Sequence, residues 1–462
     1  MVDLVLTVSK FTYLVSATLC IGYLLVLIFF SHNFQGEIKK ENLVLRKYAS
    51  LAAWFWFASS SIFIIATLAS VLDVSINQAL DLTMLRSFVT QISLGKFLAI
   101  QCLGALLVAV WVARVKRITY ASLVLILALI SISAPIFQSH SSSGGSHLMA
   151  IGTLLVHVLG LVLWVGGLLA IILSKRINKQ VALQRFSQLA FWAAISVVIS
   201  GVVNAWLRMN FAGAWHGSYA ILLAEKIILT LLLIAMAAIA KKNISGDIKK
   251  LITVESIFMT LTILVGTLLS QSSPPARPGK IDPLESLVGL KFPGKPNLST
   301  WIFEYQPDAL TLALLISGTL LYLKGVSILR KRGDKWPIGR TFSFLVGIFI
   351  VNYAVNGAIG VYSHFGFSYH MIEHMILGMI APIALILGAP ITLALRTLPG
   401  GRDSDEEGPR NILIRFLHSK YAKFMTNPVV ALLIFDGSLF VLYFTGLFGT
   451  LMGSHLGHLF MN

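Results

Sequence analysis

Stretches of about 20 predominantly apolar residues, long enough as helices to cross a hydrocarbon layer about 30 Å thick, recur along this chain. Twelve are read from the sequence, at 11–30, 51–71, 92–113, 119–137, 148–174, 187–207, 219–240, 251–270, 308–328, 341–362, 370–395 and 428–450. In lipid every backbone N–H and C=O has to be satisfied within its own segment, which makes a helix the structure open to each run. The expected fold is therefore all-α, a polytopic integral membrane helical bundle of about twelve transmembrane helices. Composition agrees: 12% of the 462 residues are charged, against about 25% in soluble domains. The first run has no positive stretch before it beyond Lys10 and no small-residue cleavage site after it, so it reads as a span rather than a signal peptide.

The formal net charge of +17 would suit a nucleic-acid partner if the charges shared one surface. They do not. Most of the 36 Lys and Arg sit in alternate loops, as in Lys39, Lys40, Arg46 and Lys47, then Arg114, Lys116 and Arg117, and later Arg330, Lys331 and Arg332. By the positive-inside rule these loops are cytoplasmic and both termini are extracytoplasmic. No nucleic acid is expected; the bilayer is the partner. Cys20 and Cys102 lie in separate apolar stretches and predict neither a disulfide framework nor a cysteine metal site.

On that topology the histidines divide unevenly. His32 and His418 are cytoplasmic, whereas His140, His147, His157, His216, His364, His370, His374, His455 and His458 all belong to external loops, the C-terminus or the outer halves of spans. His140 and His147 bracket the Ser/Gly-rich "HSSSGGSH" and, taken singly, read as solvated loop residues. His157 lies about 15 Å along a helix from His147, at a depth where an ionisable side chain has to find a partner. His216 stands between Trp215 and Tyr219, where an interfacial role is equally open. In "YHMIEHM", His370 and His374 share one helical face beside Glu373, with Met371, Met375 and Met379 on the adjoining stripe. "SHLGH" sets His455 and His458 three apart after the last span.

Imidazole with thioether on an oxidising face favours copper, thioether being a soft ligand for Cu(I) and imidazole serving both copper states. Zinc ordinarily takes cysteine or carboxylate beside histidine, and haem iron accepts His or Met axially. Two alternatives stay open. One is a haem-bearing electron-transfer protein with histidines on facing helices. The other is an intramembrane zinc protease, because His370-Met-Ile-Glu373-His374 fits H-x-x-E-H. The candidate metal ligands are His370, His374, His364, Met371, Glu373, His455, His458, His147, His157, His140 and His216, converging in part on a shared outer cavity; no catalytic role is expected.

Two family resemblances follow from longer runs. "HVLGLVLWVGGL", "RFSQLAFWAAISVVISG", "YAILLAEKIIL" and "IKKLITVESIFMTLTILVGTLLSQSSPP" resemble the CopD copper-resistance membrane domain. "LYLKGVSILRKRGDKWPIGR", "YSHFGFSYHMIEHMILGMIAPIALILGAPITLALR" and "MGSHLGHLFM" resemble the CtaG cytochrome oxidase assembly factor. The resemblance implies a multi-pass protein of the bacterial plasma membrane that handles copper, with copper ion, cytochrome c oxidase subunits or an extracytoplasmic copper chaperone as partners. It divides the chain into a CopD-like domain over 1–275, whose first four spans match less closely, an extracytoplasmic linker over 276–300, and a CtaG-like domain over 301–462. Glu373 stands where that pattern has Gln, and the pattern continues through further spans beyond Asn462, so the second domain is expected to be shortened.

Within the spans, Glu225 and Lys226, Glu255 and Asp436 are expected to form charge pairs between helices, or His157 and Glu225 to line an ion path. Asn352 and Asn356 are expected to bond neighbouring segments, and Gly160, Gly166 and Gly167 to allow close helix approach around His157. The topology has a direct check. Cysteines introduced at Ser143 and Ser272 should react with an impermeant thiol reagent in intact cells, and labelling only after permeabilisation overturns the outward placement of the histidines.

Overall fold

The computed structural model describes residues 1–31, 36–138, 147–174, 177–209, 217–242, 248–275, 288, 290–401, 408–452 and 457, without the side chains of 41, 147–148, 237–242, 248–253 and 450–452. The described residues are helical, with no strand beyond two isolated bridges. The long helices are α1 Val2–Leu25, α2 Leu43–Leu72, α3 Ser93–Val112, α4 Ile118–Ser133, α5 His147–Leu173, α6 Lys179–Arg208, α7 Ser218–Lys242, α8 Ile248–Leu269, α9 Ala309–Lys331, α10 Ile338–Asn356, α11 Phe367–Met375 and α12 Pro428–Phe444. Ten helical segments among the described residues are long and apolar enough to cross a membrane, with Val254–Leu269 and Pro428–Phe444 as shorter apolar helices. Each expected run falls on a helix or on a succession of helical pieces. The long α11 segment is carried past Met375 by a π-helical turn at Ile376–Ile380 and then by Ala381–Leu387 and Pro390–Thr397.

Contacts divide the chain into two units, Met1–Ser141 with Thr153–Lys280, and Ser142–Gly152 with Ile281–Asn462. In the first unit α1 is the central helix, and its packing follows from missing side chains. A Cβ on Gly22 would lie 1.9 Å from the carbonyl oxygen of Gly166, and one on Gly166 would lie 2.3 Å from that of Thr18. Backbones that close gain dispersion contacts, which is the chief attraction between helices already surrounded by lipid. Gly167 similarly admits the Phe186 ring, and Gly160 admits Val197. Between α2 and α3 the chain turns through Asp73 in a left-handed conformation (φ 51) and a capping box at Ser75. It then forms a short helix, Leu82–Gln91, outside the apolar runs.

The second unit is organised at one end by Tyr322. Its ring stacks on Phe344 at 3.9 Å, its hydroxyl donates to the carbonyl of Gly388, and it accepts from Trp336 Nε1. Val326, Leu329 and Leu393 close this cluster, and Arg340 lies 5.0 Å over Trp336. At the other end the tenth span is shorter than expected. Instead of running to residue 362, α10 stops at Asn356, Gly357 adopts an extended backbone, and Ala358–Ser363 forms a separate turn of helix. The reason is polar. Asn356 is fully buried and accepts the N–H of Asp308 at 2.7 Å, its own amide donates to Asn352, and Tyr305 donates to Asn352 as well. The two asparagines therefore stitch the incoming segment onto α10. That segment is folded from Leu290 onward: Leu290 is buried, Phe292 packs on Phe365, and Leu298–Phe303 is helical.

Large apolar side chains such as Leu433, Phe440 and Phe444 of α12 are exposed, as surfaces meeting lipid rather than water are. The glycine contacts generate a prediction. Gly166→Val should destabilise the protein by about 1–3 kcal/mol through forced separation of helices, read as a lowered melting temperature in detergent. Gly318→Ala, with open space around it, should leave melting unchanged.

Candidate metal centre

The α11 sequence places its ligand-type residues by helical period. His370, Glu373 and Ala381 are buried and recur on one side of the segment, while Ile372, Met375 and Met379 are exposed on the other. His370 has no exposed surface and Glu373 is 1% exposed, both in a helix whose surroundings are otherwise apolar. One turn separates His370 from His374, and their Nε2 atoms lie 3.0 Å apart with the rings edge to face at 4.4 Å. One imidazole N–H lies between two nitrogens, so displacing that proton frees both lone pairs toward nearly the same point. Metal–imidazole bonds of about 2.0 Å to nitrogens this far apart would subtend about 97°, and about 0.3 Å of ring movement brings a tetrahedral angle.

Several features hold this pair in place. The π-helical turn begins two residues after His374, with the Ala381 N–H reaching back to Ile376, and such turns re-aim the residues beside them. Aromatic rings enclose His370: Phe367 at 6.4 Å and Phe448 at 5.6 Å, with Tyr443 packed on both of them. Phe448 belongs to the short helix Leu447–Met452 that follows α12, so the last helix ends against the histidine pair. On the preceding residue, the Tyr369 ring meets Trp301 and Tyr362, and the Tyr353 hydroxyl donates to the Trp301 carbonyl. Trp301 is thereby part of the wall behind the pair, whereas Phe303 is exposed.

The other candidates are placed as follows. His364 lies just after Ala358–Ser363, with Nδ1 bonded to the Gly360 carbonyl at 2.8 Å, which leaves Nε2 as the acceptor nitrogen. Met371 is half-buried, but Met375 and Met379 face outward, so the methionine stripe does not line the histidine face. His140, His216, His455 and His458 lie outside the described residues, as does the side chain of His147, which opens α5. Among the described residues no group of three or more His, Cys, Asp or Glu side chains is arranged to hold a metal. The structure brings together His370 and His374, with Glu373 buried one turn from the first.

His157 is in a different environment. It is buried in the first unit with Nδ1 3.0 Å from the Val197 carbonyl and 3.2 Å from Ser200 Oγ. Nε2 faces the ammonium of Lys226 at 3.4 Å. The expected companion, Glu225, points the other way and is exposed, because one residue along a helix turns the side chain by about 100°. Neither Lys226 nor Glu255 forms an ion pair among the described residues. The sequence suggests a charge pair for Lys226; the structure gives it the His157 ring nitrogen instead, and its four-residue spacing from Leu222 and Thr230 marks the inward face of α7.

An all-α chain with this many apolar helices is a multi-pass bacterial membrane protein. Three family models match it in consecutive regions: copper resistance protein D-like, N-terminal domain, over residues 1–148; copper resistance protein D over 180–269; and cytochrome c oxidase caa3 assembly factor over 320–462. Their order is the fusion that the sequence resemblance implied, and it links the chain to copper resistance and to cytochrome c oxidase assembly. The first four spans, the less closely matching part, have a family model of their own. An uncharacterised protein of Mycobacterium leprae is 37% identical over 174 residues, covering 38% of this chain and 26% of that relative. Uncharacterised proteins of Mycobacterium bovis and Mycobacterium tuberculosis are each 36% identical over 174 residues, with the same coverage. The chain thus spans about a quarter of the length of the curated relatives it matches. No solved structure matches it.

Because Met375 and Met379 face away from the histidines, changing both to Leu should leave copper stoichiometry of the purified protein unchanged, as measured by elemental analysis.

Proposed function

We propose that this protein binds copper at the His370–His374 end of its second unit and hands it on during assembly of the terminal cytochrome c oxidase. The observation that carries the reading is the contact between two imidazole Nε2 atoms, 3.0 Å apart on the buried face of a membrane helix, within the region matching an oxidase assembly factor. A histidine pair in hydrocarbon costs roughly 2 kcal/mol or more per group unless partnered. The two rings satisfy one another when empty and can exchange their shared proton for a metal ion. Two nitrogens alone leave coordination positions open, which suits cargo that has to leave again. His364, and His455 and His458 beyond the last helix, are the candidates to complete the set, since Phe448 brings the chain to His370 only seven residues before His455. Glu373 adds a buried carboxylate one turn from His370, able to balance the ion's charge or to hold an imidazole.

On this reading copper is the cargo, an oxidase subunit or an extracytoplasmic copper chaperone is the partner, and no bond of a substrate is made or broken. The double variant His370→Ala with His374→Ala should lose most of its bound copper and lower oxidase activity in membranes, with the helical circular dichroism and membrane yield of the parent. Unaltered copper stoichiometry in that variant overturns the proposal, and a Soret band in the purified parent transfers the pair to haem. Glu373→Ala should weaken copper binding by about 10–100-fold, the usual cost of losing an outer-shell partner.

A further inference from the structure

In the first unit, away from the copper reading, Lys226 poses an accounting problem. Its ammonium has three N–H donors, and among the described residues it has a single hydrogen-bond partner, His157 Nε2 at 3.4 Å. The ring orientation fixes the roles. Ser200 Oγ gives its proton to the Ser196 carbonyl, so both Ser200 Oγ and the Val197 carbonyl act as acceptors toward His157 Nδ1. The histidine proton is therefore on Nδ1, and Nε2 offers Lys226 a lone pair. Lys226 is the donor in this contact.

Two N–H groups and one positive charge are left, about 12 Å into α7 from Ser218. A lysine at such depth costs about 2.5–3.5 kcal/mol even by insertion scales. No carboxylate answers it among the described residues, since Glu225 turns outward and Glu255 lies eleven residues, about 16 Å, along α8 from Gly266. The surrounding wall is small: Gly266 of α8, where even an added Cβ would stand 3.6 Å from Nζ, and Gly201 of α6 against the His157 ring. Along the His157-facing side of α6, Ser200 and Asn204 are followed at the same four-residue spacing by Arg208, which adds a second cation.

We propose that Lys226, held in place by His157, forms a binding site for a small inorganic anion of the halide class, seated against the ammonium beside Gly266. A halide supplies the missing negative charge and accepts the two spare N–H groups beside a residue that has no side chain. A water molecule would accept the hydrogen bonds but leave the charge unanswered.

The test uses the full chain in nanodiscs of zwitterionic lipid, with bromide as the probe and gluconate, a bulky organic anion, as the control at equal ionic strength. The parent should melt at higher temperature in bromide than in gluconate and should broaden the bromide NMR line. Lys226→Met should lose both responses, and Lys226→Arg should keep them. Equal melting in bromide and gluconate, an undiminished response in Lys226→Met, or stabilisation by anionic lipid but not by bromide overturns the proposal. If Lys226→Met does not fold, line broadening by the parent, and its retention in Lys226→Arg, decides the question alone.

Discussion

Hydrocarbon offers no hydrogen bonds, and this constraint governs each polar side chain found within the helices. A polar group placed there gains from a partner, and where another part of the same chain supplies one the fold is pinned. Asn356 accepts the Asp308 N–H and donates to Asn352, and the tenth span ends there because that network needs the backbone to leave the helix. Tyr322 spends its hydroxyl on Gly388 and Trp336 at the opposite end of the same unit. His157 has partners at both ring nitrogens.

The histidine pair of α11 obeys the same rule in a form that can be reversed. His370 and His374 are each other's partners, and the aromatic rings of Phe367, Tyr443 and Phe448 exclude competing water on one side. A pair joined Nε2 to Nε2 can exchange its shared proton for a metal ion. This separates it from His157, whose nitrogens would have to abandon a carbonyl and an ammonium. Two histidines that look alike as intramembrane residues thus have different chemistry available to them.

Helix contacts are made in two ways, and the units differ in which dominates. Around α1 of the first unit, glycine removes side chains so that backbones meet, as at Gly22 and Gly166. In the second unit stacked aromatic rings fill the space, with Tyr322 on Phe344 and Tyr369 among Trp301 and Tyr362. The first arrangement is intolerant of any added Cβ; the second depends on ring shape and on a few hydroxyl bonds.

Hydropathy alone determined that the chain is helical and many times long enough to span a bilayer, because backbone satisfaction in lipid leaves a helix as the solution for an isolated apolar run. The four-residue spacing of His370 and His374 was equally readable, since helical period places both on one face whatever surrounds them. What only the tertiary structure decided is which face turns inward. Met375 and Met379 share the helix with the histidines yet point outward, and Lys226 rather than its neighbour Glu225 meets His157. Uniformly apolar helices carry almost no signal for their own rotation, because lipid and protein interior are alike to a leucine. Orientation is set instead by close contacts between helices distant in sequence, such as Gly22 on Gly166, and by rings like Phe448 brought to His370 from a helix nearly eighty residues on.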